Sequence, residues 1–143
     1  MNGTVDPIRV LFVDDNILAA TALERWFASC EDIRFVGWAE NGGAAVAMAR
    51  SQSPEIVLLD LEMPGVDTLA LIPQLLAAYP KVHVVVLSGH LRSDDIGRAL
   101  DAGATGYIAK DEPTATISAL VRRAAQGECV LSPLAQRAYL GGH

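Results

Sequence analysis

The chain has 143 residues, of which 51% are apolar, and a formal net charge of −6. This length fits one domain rather than two, and the acidic balance argues against direct binding to nucleic acid or to an anionic membrane surface. No apolar run approaches the roughly 20 residues that span a bilayer, and the start lacks a secretory signal, so we expect a cytoplasmic protein.

Strand-like and helix-like segments alternate along the chain. Runs of Val, Ile and Leu predict five strands, at Ile8–Val13, Ile33–Ala39, Glu55–Asp60, Val82–Ser88 and Gly106–Lys110. Helical spacing predicts five helices, at Ile17–Ser29, from Asn41 to Arg50, and at Asp67–Ala78, Ser93–Ala102 and Thr114–Gln126. This order predicts an α/β fold of the (βα)5 type, a doubly wound, parallel, five-stranded sheet like that of flavodoxin.

The same pattern predicts how the chain is divided. Residues 1–7 form an N-terminal extension, and residues 8–126 form the domain. Residues 127–143 form a linker, with a short helix after Ser132-Pro133.

Four of the predicted strands end in polar side chains. Asp14-Asp15 follow the first strand, and Asp60, Ser88 and Lys110 are the last residues of the third, fourth and fifth. Ligand sites in open α/β sheets lie beyond the carboxyl ends of the strands, so we expect these side chains to converge.

The expected cluster has a defined chemistry. Three carboxylates at one sheet edge repel each other unless a cation lies among them, and Mg²⁺, or Mn²⁺ in its place, prefers oxygen ligands. Asp14, Asp15, Asp60 and a backbone carbonyl just after Asp60 would supply them. A carboxylate can also attack phosphorus and form an aspartyl phosphate. Lys110 would then pair with a phosphoryl oxygen, and Ser88 would donate a hydrogen bond to another.

The chain resembles the receiver domain of bacterial two-component response regulators over about residues 8–126. The motifs that carry the resemblance are the pair Asp14-Asp15, the stretch Asp60-Leu61-Glu62-Met63-Pro64-Gly65, Ser88-Gly89 and Tyr107-Ile108-Ala109-Lys110.

The resemblance implies a receiver fold and roles for these residues. Asp60 would accept a phosphoryl group from a phosphohistidine on a sensor histidine kinase or a phosphotransfer protein. Asp15 would bind Mg²⁺ directly, Asp14 mainly through water, and the Glu62 carbonyl would complete the ligands. Ser88 and Tyr107 would form the conformational switch.

Two features depart from the family or extend it. Asp111 stands where the family often has a proline after a cis peptide bond. The Lys110-Asp111 junction and the tail resemble the subfamily in which a LuxR-type helix-turn-helix follows the receiver. Either the chain is a receiver excised with its linker, or it is a stand-alone receiver that acts by protein–protein interaction.

The resemblance also implies a surface that changes on phosphorylation. We expect it on Ser93–Ala102, Tyr107 and Thr114–Gln126, where a phosphorylation-dependent homodimer could form. The last helix could instead pair with the first, Ile17–Ser29.

Three rival functions use a similar frame. A phosphatase of the haloacid dehalogenase type needs an Asp-x-Asp pattern, whereas Glu62 occupies the second position here. A flavodoxin-like cofactor binder would bring phosphate to Asp14-Asp15, which would repel it. A degenerate receiver, independent of phosphorylation, would not need the acids, Ser88 and Lys110 together.

Overall fold

The computed structural model describes residues 6–141, so residues 1–5 of the predicted extension and residues 142–143 of the tail lie outside it. The strands are β1 Ile8–Val13, β2 Ile33–Ala39, β3 Ile56–Leu59, β4 His83–Ser88, β5 Gly106–Ala109 and β6 Val130–Leu131. The helices are α1 Ile17–Ala28, α2 Gly42–Gln52, α3 Thr68–Ala78, α4 Ser93–Ala102, α5 Thr114–Ala125 and α6 Pro133–Gly141.

All strands pair in parallel, in the order β2-β1-β3-β4-β5-β6. One core cluster joins α2, α3, α4 and α6 to one face of the sheet, and a second joins α1 and α5 to the other. Burial on both faces explains why β3 is an unbroken apolar run. The doubly wound fold is confirmed, and a short sixth strand extends the five that were predicted.

The ends of the elements agree with the sequence to within one or two residues, because local signals fix them. The Asn16 side chain accepts hydrogen bonds from the first turn of α1, and Asn41 and Asp67 do the same for α2 and α3. The Lys110–Asp111 peptide bond is trans, as are all the others in residues 6–141.

Residues 128–141, which we call the C-terminal segment, pack onto the sheet. In β6, Val130 lies opposite Gly106 and Leu131 opposite Tyr107. A Cβ atom at Gly106 would lie 2.6 Å from Val130 Cγ2, so a glycine is needed for this approach. Helix α6 packs against α4 and buries Ala135 completely. The surface on α4, β5 and α5 that we expected to change on phosphorylation is therefore partly covered.

Within residues 6–141 we find no helix with the length and apolar character required to cross a membrane.

Candidate functional site

The carboxyl ends of four strands meet at one edge of the sheet. The Asp14 N–H donates to Ala39 O, and the Asp60 N–H donates to Val13 O at 2.9 Å. The Lys110 N–H donates to Ser88 O, also at 2.9 Å. These bonds continue the strand pairing by one residue beyond each strand, so the polar residues predicted from the sequence are brought together.

Three carboxylates form the centre of the site. One oxygen each from Asp14, Asp15 and Asp60 can be chosen so that all lie within 4.8 Å of one another. Asp14 is fully buried, Asp60 is 2% exposed and Asp15 faces solvent. Clustered carboxylate oxygens of this kind fit a hard divalent cation that retains some of its water, and the exposed Asp15 leaves a path for it.

Lys110 bridges the two buried acids. Its Nζ lies 2.8 Å from Asp14 Oδ2 and 3.3 Å from Asp60 Oδ2, and its side chain is 29% exposed. Burial alone would lower the pKa of Lys110. The hydrogen bonds and charges of Asp14 and Asp60 outweigh burial, so the pKa lies above its ordinary value. The ammonium group therefore stays charged and partly neutralises the cluster.

The pKa of the Asp60 carboxyl is raised above the ordinary value. The main cause is loss of solvent, and the negative charge of Asp14 adds to it. The Glu62 N–H, 3.0 Å from Asp60 Oδ1, and the Lys110 charge oppose this shift. The Asp60 carboxylate thus lies in a place where its charge is incompletely compensated, which favours a reaction or a ligand that compensates it.

A second set of contacts lies beside the acids. Ser88 Oγ accepts a hydrogen bond from the His90 N–H at 3.0 Å, and the Tyr107 hydroxyl donates to His90 O at 2.6 Å. His90 Nε2 lies 3.1 Å from Glu62 Oε2. Burial raises the pKa of Tyr107 to about 12, so its hydroxyl stays protonated. The loop after β4 is thereby tied to β5 and to the loop after Asp60.

The structure places two further residues that were predicted from the sequence, Tyr107 of the switch and Glu62 of the metal site. Tyr107 is fully buried with its hydroxyl bonded to His90 O, and its role in the switch stays a prediction. Glu62 contacts Asp60 through its backbone N–H, and its carbonyl as a metal ligand stays a prediction.

Sequence reasoning missed two residues at the site. His90 contacts Ser88, Tyr107 and Glu62, and its place two residues after Ser88 was the available signal. The second is Trp38, whose residue type carried no signal of a role at the site. It is half-buried, and its Nε1–H donates to Asp14 O at 2.6 Å.

Comparison with known proteins gives a consistent result. The family model of the response regulator receiver domain matches residues 10–122. The response regulator protein VraR of Staphylococcus aureus is 32% identical over 126 residues, which make up 88% of this chain and 60% of VraR. The chain thus spans less than two thirds of the length of that relative.

Two solved structures share the fold. A LuxR-family two-component response regulator from Aurantimonas sp. SI85-9A1 superposes with a TM-score of 0.88 at 22% identity, covering 95% of this chain and 97% of that one. The signal receiver domain of the response regulator NarL from Mycobacterium tuberculosis superposes with a TM-score of 0.80 at 28% identity. That match covers 87% of this chain and 100% of the NarL domain.

Proposed function

The chain belongs to the response regulator receiver domain family, a family of signalling domains in two-component systems, and from this premise we propose that Asp60 is its phosphoacceptor. The observation that carries the proposal is the buried Asp60 carboxylate, whose Oδ2 lies 3.3 Å from the Lys110 ammonium beside a second buried acid. Such a carboxylate is incompletely neutralised and can attack phosphorus. The neighbouring ammonium group can then pair with the oxygens of the phosphoryl group.

The reaction is a transfer of one phosphoryl group. An Asp60 oxygen forms a bond to phosphorus, and the bond between phosphorus and a histidine nitrogen of the donor breaks. The electron pair leaves with that nitrogen. Lys110 and the Ser88 hydroxyl donate hydrogen bonds to the phosphoryl oxygens, and the Ser88 hydrogen is free to do so because its Oγ acts as acceptor toward the His90 N–H.

The three carboxylates fit Mg²⁺, and we propose Asp14, Asp15, Asp60 and the Glu62 carbonyl as the groups that hold it. The ion would supply positive charge where the carboxylate and phosphoryl oxygens come together. Asp14 is already held by Lys110 and by the Asn16 N–H, so its carboxylate is oriented before any ligand arrives.

We further propose that this chain acts in the cytoplasm and that the donor is a sensor histidine kinase or a phosphotransfer protein. The transcriptional role is a proposal of the same kind. Its supports are the tail that follows Gly127, which resembles the link to a LuxR-type helix-turn-helix, and the greater length of VraR. The chain itself carries a net charge of −6, so DNA binding would fall to another domain.

Mass spectrometry of the intact protein tests the proposal. After incubation with acetyl phosphate and Mg²⁺, we expect one added phosphoryl group on the natural chain and none on Asp60→Asn. Asp101→Asn, which removes an exposed carboxylate on α4, is the matched control and should be phosphorylated normally. Phosphorylation of Asp60→Asn to the natural extent would show that another residue is the acceptor.

A further inference from the structure

Ser132 connects the C-terminal segment to the strand that carries Lys110. The Ser132 side chain is fully buried, and its N–H donates to Tyr107 O at 3.0 Å. Its Oγ accepts hydrogen bonds from the Ala109 N–H at 3.1 Å and from the Ala135 N–H at 3.3 Å. One residue thus bonds to both sides of Ile108 in β5 and begins α6.

These contacts adjoin the phosphoacceptor site directly. Ala109 precedes Lys110, whose ammonium bridges Asp14 and Asp60, and Tyr107 is bonded to the loop after Ser88. Ser132 lies outside residues 10–122, the part of the chain that matches the family model. The strand that leads to Lys110 is therefore bonded to a residue beyond the five-stranded frame.

A second bond ties the segment to the loop after Lys110. Glu112 Oε2 accepts a hydrogen bond from the Leu134 N–H at 2.9 Å, in the first turn of α6. A carboxylate near a helix N-terminus also interacts favourably with the helix dipole. Ser132 and Glu112 therefore hold the start of α6 from both sides of Lys110.

We propose that Ser132 and Glu112 are positioning residues for Lys110, and that the C-terminal segment is the element through which phosphorylation of Asp60 is transmitted. This inference rests on the proposed function, since it names how that same site is regulated. The docked segment matches the unphosphorylated arrangement, and phosphorylation loosens it.

The geometry of the site indicates why phosphorylation loosens the C-terminal segment rather than tightening it. A phosphoryl group adds a charge of about −1.5 to −2 at Asp60, and its oxygens lie farther from the Asp60 backbone than the present carboxylate oxygens. The Lys110 ammonium that follows them moves away from Asp14 and displaces Ala109. The bond between the Ala135 N–H and Ser132 Oγ is at the long end of the usual range, so a small displacement is enough to break it.

Coupling of this kind is reciprocal. If phosphorylation weakens docking of the segment, then weakening the docking must favour the phosphorylated state by the same factor. Variants that lose a docking contact should therefore bind a phosphoryl mimic more tightly, whereas a purely structural role would leave the affinity unchanged or reduce it.

Hydrogen exchange of backbone amides is the first test, with beryllium fluoride and Mg²⁺ as the phosphoryl mimic. The N–H groups of Val130, Ser132 and Leu134 are bonded to Thr105 O, Tyr107 O and Glu112 respectively. We expect these amides to exchange at least about fivefold faster when the mimic is bound. The Val121 amide in the buried part of α5 should keep its rate. Unchanged or slower exchange in the segment would overturn the inference.

The second test compares variants. For each one, the affinity for beryllium fluoride with Mg²⁺ is measured by following the backbone amide spectrum during a titration. Ser132→Ala and Glu112→Ala should bind it at least about fivefold more tightly. Glu112→Gln keeps a carbonyl acceptor for the Leu134 N–H and should behave like the natural chain. Ser118→Ala removes a hydroxyl that is equally buried but bonds only within α5, and it is the matched control.

The outcomes separate this inference from the proposed function. Normal phosphorylation of Asp60 by acetyl phosphate, with equal affinities in all four variants, would refute the role of the segment and leave the phosphoacceptor intact. No phosphoryl group in the intact mass would refute both. Because Glu112 is only half-buried, Glu112→Ala should fold even if Ser132→Ala does not, so the comparison with Glu112→Gln can be made.

Discussion

Replacing Lys110 with methionine tests how the buried acids are held. Methionine keeps most of the length of the side chain but removes the ammonium group that lies 2.8 Å from Asp14 Oδ2 and 3.3 Å from Asp60 Oδ2. Two carboxylates with exposed fractions of 0% and 3% would then lack their cation. We expect a marked loss of stability in metal-free buffer.

The magnitude can be worked from the burial of the three groups. Breaking a buried ion pair by removing one partner costs about 3–5 kcal/mol. Lys110 is 29% exposed, so water partly solvates the cluster and the lower value, about 3 kcal/mol, applies. For a domain of this size that corresponds to a fall in Tm of roughly 10 °C. The pKa of Asp60 is already raised in the natural chain, and removing the Lys110 charge raises it further, so the loss should grow as pH rises above 3.8, the ordinary Asp value.

Thermal unfolding with and without Mg²⁺ is the assay. The ion should restore much of the lost stability, because it supplies positive charge among the same oxygens. The chain has two lysines, and Lys81→Met at the exposed second one is the matched control, expected to change Tm little. If Lys110→Met were as stable as the natural chain, or were destabilised equally in both buffers, the electrostatic account of the site would be wrong.

Two further predictions concern the acids. Mg²⁺ at tenfold excess over Kd should stabilise the natural chain by about 1.4 kcal/mol, and Asp15→Asn should weaken this response; a Tm of the natural chain that is indifferent to millimolar Mg²⁺ would exclude the metal site. In metal-free buffer Asp60→Asn should be more stable than the natural chain at pH 7, because it keeps an acceptor for the Glu62 N–H and removes an incompletely compensated charge. The folded-state pKa of Asp60 is raised, so the natural chain loses stability from this group as pH rises from 3.8 through that pKa. Denaturant unfolding from pH 4 to pH 7 should show the advantage of Asp60→Asn growing with pH, and a constant or shrinking difference would contradict it.

Most of the frame could be predicted because local chemistry and topology agree. The apolar runs of β1 and β3 are buried on both faces, and each is followed directly by an acid at the carboxyl edge of the sheet. Parallel pairing then brings Asp14, Asp60 and Lys110 to one edge without any need to know side-chain packing. The family resemblance added an expected role to each of these residues.

A short helix was predicted after Ser132-Pro133, where α6 lies, but strand β6 and the packing of the C-terminal segment on the sheet could not be predicted in the same way. Strand β6 has only two residues, which is too short for a period-two pattern, and its pairing depends on the missing side chain of Gly106 in a distant part of the chain. The contacts of His90 arise mainly from its backbone, since both its N–H and its carbonyl are used. Backbone contacts leave little trace in residue type, so the contacts of this loop and the docking of the C-terminal segment could not be predicted from sequence.

The two-residue strand β6 also has a consequence for solubility. Without it, β5 would be the edge strand of the sheet, with the backbone groups of Gly106–Ala109 unpaired on one side. An exposed apolar edge strand of this kind pairs with strands of other molecules. With β6 present, the edge strand of the sheet is only two residues long, Val130–Leu131. It cannot extend beyond Ser132, because Pro133 has no N–H to donate and α6 begins there. A chain ending at Gln126 should therefore tend to aggregate through β5, even though every acid of the phosphoacceptor site would still be present.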